Sequence, residues 1–112
     1  MEIFEKRENG IAIFSLNGRL DSNTSPEFDE KITDSIENGA RFIVVDCKNL
    51  DYITSAGLRI LNKTAKKLKQ LDGEIVLCSM EDYVKEVFEI SGFDTFLPIV
   101  PDLETALEKV KK

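Results

Sequence analysis

The sequence predicts one α/β domain in which about four helices cover a mixed, mostly parallel sheet. Short apolar runs alternate with longer amphipathic segments in the order β-β-α-β-α-β-α-β-α, which is typical of parallel strands joined by right-handed crossovers. An Asn-Gly dipeptide at 9–10, typical of tight turns, separates the first two runs and predicts an N-terminal β-hairpin. A chain of 112 residues suits a single core, so we assign residues 1–112 to one domain.

The hairpin strands and the first helix follow from local signals. Residues 3–7 and 11–16 are expected to form the antiparallel strands, with Asn-Gly at 17–18 ending the second. The first helix is expected to begin at 24–27 (Thr-Ser-Pro-Glu), because a hydroxyl can cap a helix and proline suits its first turn. Asn-Gly at 38–39 supplies the signal that ends this helix.

A central strand, a loop and a second helix come next. Residues 42–47 are nearly all apolar, as in a strand that is buried on both faces. Residues 48–53 are expected to form a loop. The second helix is expected over 55–71, with leucines along one side and lysines over much of the rest, and Asp-Gly at 72–73 ends it.

The last third of the chain repeats this alternation. A strand is expected over 74–79 and a helix over 81–90, which Ser-Gly at 91–92 terminates. Residues 96–100 are expected to form a short strand or extended segment. Pro101 and Asp102 then open a C-terminal helix with apolar residues at helical spacing.

Composition excludes several classes of function. The chain has no histidine, which excludes a Ser-His-Asp triad, a Cys-His pair and imidazole metal ligands. Its net charge of -6 argues against nucleic acid or an anionic membrane surface as the main partner. No apolar stretch approaches the roughly 20 residues of a membrane span. Cys47 and Cys78 lie in apolar runs, and without a signal peptide we expect free thiols and a cytoplasmic protein.

The segment 46–61 holds the candidate site, because it leads from the central strand into the start of the second helix. Thr54 and Ser55 stand at that start, and one of the two hydroxyls should cap the helix. With Thr54 as the N-cap, Ser55 is the first helical residue and its hydroxyl faces solvent beside the small Ala56 and Gly57. A phosphate there would meet free backbone N–H groups and the positive end of the helix dipole.

Residue patterns alone leave other interpretations of this segment. On spacing alone, a plain helix cap at Thr54-Ser55 is favoured, because serine and threonine cap helices in many proteins. Asp46 follows a central strand, as the phospho-accepting aspartate of a receiver domain would. We reject that interpretation because the chain lacks the acidic pair after the first strand and the lysine after the fifth.

Four segments together resemble the STAS domain, and most closely the anti-sigma factor antagonists. Residues 50–61 (LDYITSAGLRIL) are similar to the family's Asp-Ser-Ser/Thr-Gly-Leu helix start. The family's Gly-x-Leu/Ile-Asp turn is similar to residues 16–21. Its Gly-Gly-x-hydrophobic strand start is similar to residues 71–77. Its helix end, Val-x-x-x-(Phe/Leu)-x-x-(Ser/Thr)-Gly, is similar to residues 84–92. The likeness spans essentially the whole chain in the right order, and it implies a STAS-like fold.

The resemblance also implies a function and a partner. In that family an anti-sigma factor that is a Ser/Thr kinase phosphorylates the serine that aligns with Ser55, and a phosphoserine phosphatase reverses the modification. The unphosphorylated protein then binds the anti-sigma factor and releases sigma factor. Thr54 stands where the family commonly has Asp. Asp21 matches the family's turn aspartate and is expected to lie near Ser55. There its carboxylate would order the loop or form a hydrogen bond with the Ser55 hydroxyl. The implied switch surface comprises Asp21, Thr54, Ser55, Ala56, Gly57, Leu58 and Arg59.

Two further classes of function remain open at this point. The first is a STAS interaction module of a transporter or a signalling scaffold that works without phosphorylation. The second is a small enzyme that uses carboxylates alone, such as Asp21 with Asp46 or Asp51. The favoured prediction is a binding protein with no enzymatic activity, no cofactor and no metal, switched off by phosphorylation of Ser55.

Overall fold

The computed structural model describes residues 1–110 and contains the strands and helices in the predicted order. Strands β1 to β5 span Glu2–Glu8, Ile11–Leu20, Phe42–Ile53, Glu74–Cys78 and Ile99–Val100. Helices α1 to α4 span Ser25–Glu37, Ser55–Gln70, Asp82–Ser91 and Leu103–Val110, and a 3-10 turn, Phe93–Thr95, precedes β5.

The five strands form one mixed sheet in chain order, β1-β2-β3-β4-β5. Strand β1 is antiparallel to β2, and the other neighbours are parallel, which confirms the predicted sheet. The hairpin closes at Asn9 and Gly10, whose φ angles are 52° and 81°. Positive φ at both central residues is the geometry that a two-residue turn needs to match the twist of the strands.

Helices cover both faces of the sheet. The larger apolar cluster lies under α1, α2 and α3, where Phe14 of β2 meets Phe28 of α1 edge to face, with ring centroids 6.1 Å apart. The smaller cluster lies under α4, whose Ala106 and Val110 pack on side chains of β2, β3 and β4. The α1–α3 cluster therefore packs these three helices against one face of the sheet, and α4 covers the opposite face.

Strands β2 and β3 extend further than the sequence predicted. Strand β2 continues past Asn17 to Leu20, and residues 48–53, predicted as a loop, are the second half of β3. The two extensions pair with each other, with irregularities after Ser15 and after Gly18. These irregularities shift the alternation of buried and exposed side chains, so the polar residues of 48–53 gave no strand signal.

The remaining differences are smaller. Strand β5 is only Ile99–Val100 instead of 96–100, because the 3-10 turn and Pro98 occupy the preceding backbone. Neither Thr24 nor Ser25 caps α1 through its side chain, although Thr24 holds the N-cap position. At the start of β4, a Cβ on Gly73 would collide with the carbonyl oxygen of Arg41, so only glycine fits there. No helix within residues 1–110 combines the length and apolarity that crossing a membrane requires.

Both cysteines are buried free thiols, as expected. Cys47 belongs to the α1–α3 cluster and Cys78 to the α4 cluster, so their side chains lie on opposite faces of the sheet. Burial raises the pKa of the Cys78 thiol to about 11 and also raises that of Cys47. The two thiols therefore act as small apolar side chains.

Candidate functional site

The paired ends of β2 and β3 determine where α2 begins. Leu20 lies opposite Ile53 in the sheet, and the backbone N–H of Thr54 donates to the carbonyl of Leu20 at 3.0 Å. A single residue, Thr54, therefore joins the last residue of β3 to the first residue of α2. The start of α2 is thereby attached directly to the sheet.

Gly57 allows the first turn of α2 to approach the strand ends closely. A Cβ at this position would lie 2.8 Å from Leu20 Cγ and 2.9 Å from Ile53 Cγ1, closer than packed carbon atoms come. Leu58 beside it is only 3% exposed and belongs to the core. Both residues, which the sequence placed on the switch surface, are buried on the inner side of α2 and shape that surface through packing; their part in partner binding stays a prediction.

The outer side of the same turn presents the other residues of the predicted surface. Ser55 is exposed at the first helical position, as predicted, and Arg59 is exposed one turn further along. Ala56 and Thr54 are half-buried beside them. Ser55 therefore offers a primary hydroxyl to solvent on a helix turn that the core holds in place.

Thr54 occupies the N-cap position, but its hydroxyl does not cap the helix. Its backbone is extended, with φ -109° and ψ 177°, and no cap hydrogen bond forms from its side chain. Its Oγ1 is buried and has no hydrogen-bond partner among residues 1–110. The prediction that one of the two hydroxyls caps α2 is therefore wrong, because the Thr54 hydroxyl turns inward and the Ser55 hydroxyl is on the outside.

Asp21 organises the loop that runs beside this turn. Its Oδ1 accepts hydrogen bonds from the backbone N–H groups of Asn23 and Thr24, at 2.9 and 3.1 Å, and its Oδ2 lies 3.7 Å from Arg19 Nε. These backbone hydrogen bonds, led by that of Asn23, and the neighbouring Arg19 hold the pKa of the Asp21 carboxyl below its ordinary value. Asp21 orders the loop, as one of the two predicted roles requires; within residues 1–110 it makes no hydrogen bond to Ser55.

An Arg19–Tyr52 pair beside the turn was missed by sequence reasoning. The two residues lie opposite each other in the extended part of the sheet, and the guanidinium lies 4.8 Å from the ring centroid. Tyr52 is 43% exposed, so the pair forms part of the outer surface. The pairing could be recognised only if residues 48–53 were known to continue β3.

Helix α2 carries positive charge along its exposed side. The sequence of the helix contains no acidic residue, and its first turn lacks the acidic side chain that α1, α3 and α4 each have there. Lys63 Nζ lies 2.7 Å from Asp29 Oδ2 of α1. The exposed basic residues of the helix are Arg59, Lys63, Lys66, Lys67 and Lys69.

Asp21 and Asp46, one of the carboxylate pairs considered above, lie far apart. Asp46 lies opposite Ser15 and Cys78, seven residues before the end of β3 at Ile53. At a rise of about 3.3 Å per residue, that is roughly 20 Å from the strand ends where Asp21 lies. Within residues 1–110 no group of three histidine, cysteine or acidic side chains could hold a metal ion.

Comparison with known proteins identifies the family. The family model of the STAS domain matches residues 5–106. The chain belongs to the STAS domain family. BtrV of Bordetella bronchiseptica, a protein assigned to the anti-sigma factor antagonists, is 37% identical over 111 residues, which are 99% of this chain and 96% of BtrV. The anti-sigma-B factor antagonist of Staphylococcus aureus is 33% identical over 84 residues, 75% of this chain and 78% of that protein.

Solved structures of STAS proteins show the same fold. A Thermotoga maritima protein assigned to the anti-sigma factor antagonists superposes with a TM-score of 0.93 at 20% identity, over 98% of this chain and 95% of that one. The Bacillus cell fate determinant SpoIIAA in its phosphorylated form superposes with a TM-score of 0.76 at 20% identity, over 98% of this chain and all of SpoIIAA. The predicted STAS-like fold is therefore confirmed.

Proposed function

We propose that this protein is an anti-sigma factor antagonist whose binding to an anti-sigma factor is switched off by phosphorylation of Ser55. The observation that carries the proposal is the exposed Ser55 hydroxyl on a helix turn that Gly57 seats on the ends of β2 and β3. The class of partner is supported by the name of BtrV, which matches nearly the whole chain. Phosphorylation as the regulatory event is supported by the phosphorylated SpoIIAA structure, which shares the fold.

In the unphosphorylated state the outer side of the α2 turn forms the docking surface. Ser55, Ala56 and Arg59 supply its centre, and the ordered Asp21 loop and the Arg19–Tyr52 pair adjoin it. An anti-sigma factor that is bound here is unavailable to sigma factor. The protein thus acts on transcription by occupying the inhibitor of sigma factor and needs no catalytic group of its own.

The partner anti-sigma factor is a Ser/Thr kinase and modifies the docked protein. It transfers the γ-phosphoryl group of ATP to Ser55 Oγ: a P–O bond to the serine forms, the bond between the β-γ bridging oxygen and the γ-phosphorus breaks, and ADP leaves. The hydroxyl proton passes to a base on the kinase. A phosphoserine phosphatase restores the hydroxyl by hydrolysis, with inorganic phosphate as the product.

Phosphorylation weakens docking through charge and desolvation. A phosphate adds about -1.5 to -2 charges at neutral pH. Ser55 follows Thr54, which is bonded to the residue before Asp21, and the Asp21 carboxyl is ionised at neutral pH, with a pKa below its ordinary value. Burying both anions against a partner requires their desolvation and brings like charges together, so the docked state becomes less stable.

The proposal is tested by measuring the affinity of the purified protein for its cognate anti-sigma factor by calorimetry. Ser55→Asp should bind at least about tenfold more weakly than wild type, since about 1.4 kcal/mol of repulsion suffices. Thr105→Asp, an exposed substitution in α4 on the other face of the sheet, is the matched control and should bind normally. Equal affinities for wild type and Ser55→Asp, together with no phosphoryl transfer from ATP, would refute the proposal.

Thr54 favours one alternative, a STAS module of a transporter or scaffold that docks without phosphorylation. The family commonly has Asp at this position, and Thr54 lacks that negative charge. The same calorimetry, combined with radiolabelled ATP, separates the two functions. Tight docking on a partner that never labels Ser55 would support the alternative.

A further inference from the structure

We infer that Arg59 holds the phosphate on Ser55, so that the chain itself stabilises its modified form. The inference rests on the proposed function, because it concerns the phosphorylated state. It adds a residue with a specific role to the switch: the guanidinium of Arg59 pairs with the phosphate oxygens across one turn of α2. Arg59 is a positioning residue in this role and takes no part in phosphoryl transfer.

The geometry of α2 places the two side chains together. Ser55 and Arg59 are four residues apart within Ser55–Gln70, and both are exposed. Residues with this spacing have Cβ atoms about 5–6 Å apart on one helix face. Long helical side chains point back towards the N-terminus, so the guanidinium of Arg59 can reach the turn that begins with Ser55. An anion followed by a cation four residues later is also the favourable order in a helix.

Arg59 is available for this role. Within residues 1–110 it takes part in none of the ion pairs, whereas Arg19 is paired with Asp21 and Lys63 is paired with Asp29. Helix α2 contains no acidic side chain that would compete for the guanidinium. Lys63 lies eight residues from Ser55, about 12 Å along the helix, so it cannot replace Arg59.

The charges around the turn favour such a partner. Asp21 and Asp51 lie at the strand ends beside α2, and both carboxylates repel a phosphate on Ser55. The cation on the same strand ends, Arg19, is held by Asp21 and by the Tyr52 ring. Arginine is also suited to the task, because its planar guanidinium donates two parallel hydrogen bonds to phosphate oxygens.

The test uses full-length protein with phosphoserine encoded at position 55 during translation, so it needs no kinase. Thermal unfolding midpoints are compared with and without the phosphate in wild type, Arg59→Gln and Lys66→Gln. Lys66 is the matched control, since it is an exposed cation of the same helix and forms no ion pair within residues 1–110. We expect the phosphate to raise the midpoint by about 4 °C in wild type and Lys66→Gln, and by about 2 °C or less in Arg59→Gln.

A second readout reports on the phosphate itself. The pH titration of its ³¹P chemical shift should have a lower midpoint in wild type than in Arg59→Gln, because the guanidinium favours the dianion. Arg59→Lys should restore part of the difference. Equal thermal increments and equal titration midpoints in wild type and Arg59→Gln would overturn the inference. A failure of the anti-sigma factor to phosphorylate Ser55 would refute the proposed function but would leave both of these measurements valid.

Discussion

Helices α1 and α2 both begin with Thr-Ser, at the N-cap and the first helical position, yet the side chains of the two dipeptides differ in burial and in hydrogen bonding. At α1 the Thr24 hydroxyl is bonded, donating to the Arg19 carbonyl at 2.7 Å and accepting from the Asp21 N–H at 2.9 Å, and Ser25 is buried, with 4% of its surface exposed. At α2 the threonine is the residue whose hydroxyl is not bonded within residues 1–110, and the serine is the accessible one. The Thr54 hydroxyl is buried and has no partner in the described part of the chain, and Ser55 is exposed.

The difference comes from how the chain arrives at each helix. Before α1 begins, the backbone N–H groups of the loop 21–24 bond to the Asp21 carboxylate. This turn of the loop directs the first helical residue inward. Before α2 there is no loop, since Thr54 alone follows β3 and its N–H is bonded to Leu20. The same dipeptide is therefore structural at one helix and accessible to a partner at the other.

The largest expected effect is that of Gly57→Val, which should detach the α2 start from the strand ends. Its added side chain would overlap Leu20 and Ile53, so we expect the free energy of unfolding to fall by about 3 kcal/mol. Urea denaturation measures this. Ala56→Val adds the same branched side chain at the half-buried neighbour and should cost about 1 kcal/mol or less. Equal stabilities of the two variants would contradict the close approach at Gly57.

The two threonines provide the next test. Thr24→Val removes two hydrogen bonds of its hydroxyl and should lower the free energy of unfolding by about 1–2 kcal/mol. Thr54→Val removes a buried hydroxyl that no group of residues 1–110 bonds, so the stability of the variant should stay within about 0.5 kcal/mol of wild type or rise. Urea denaturation of both variants compares them directly, and a cost at Thr54 as large as that at Thr24 would show that the Thr54 hydroxyl is bonded.

The stability that the Asp21 loop contributes before α1 should depend on pH. Its pKa in the folded protein is below the ordinary value of about 3.9, so its contribution to stability is present at neutral pH and is lost as the pH falls below about 4. Asp21→Ala should therefore have a lower melting temperature than wild type at pH 7. We expect this difference to shrink at pH 3. A difference that is independent of pH would show that the charge of Asp21 does not order the loop.

The smallest expected effect is on stability at Ser55. Ser55→Ala should change the free energy of unfolding by no more than about 0.5 kcal/mol, because the side chain is exposed and does not cap the helix. Chemical denaturation checks this value. A loss of about 1 kcal/mol or more would indicate that the Ser55 hydroxyl has a structural role, as a plain helix cap would have.

Local sequence signals predicted most of the fold. The Asn-Gly turn and the alternation of apolar runs with amphipathic segments led to the hairpin and to the order of all elements. Residues 48–53 were predicted wrongly as a loop, because irregular pairing with β2 displaces the two-residue alternation by which an exposed strand is recognised. That pairing is a long-range property of the chain and leaves no local pattern.

The site was predictable in position but not in detail. The exposed hydroxyl of Ser55 followed from counting residues after a helix N-cap, and the structure confirms that placement. The inward turn of the Thr54 hydroxyl and the packing of Gly57 against Leu20 depend on how β2 and β3 end together. The Arg19–Tyr52 pair depends on the same register.

The central claim is that the start of α2, and not the start of α1, receives the phosphate. It is tested most directly by incubating the protein with its cognate anti-sigma factor and ATP, and mapping phosphorylated residues by mass spectrometry. The account predicts phosphate on Ser55, none on Thr24 or Ser25, and no labelling of Ser55→Ala. Phosphate at the α1 pair, or at no residue of the chain while the two proteins bind, would contradict it.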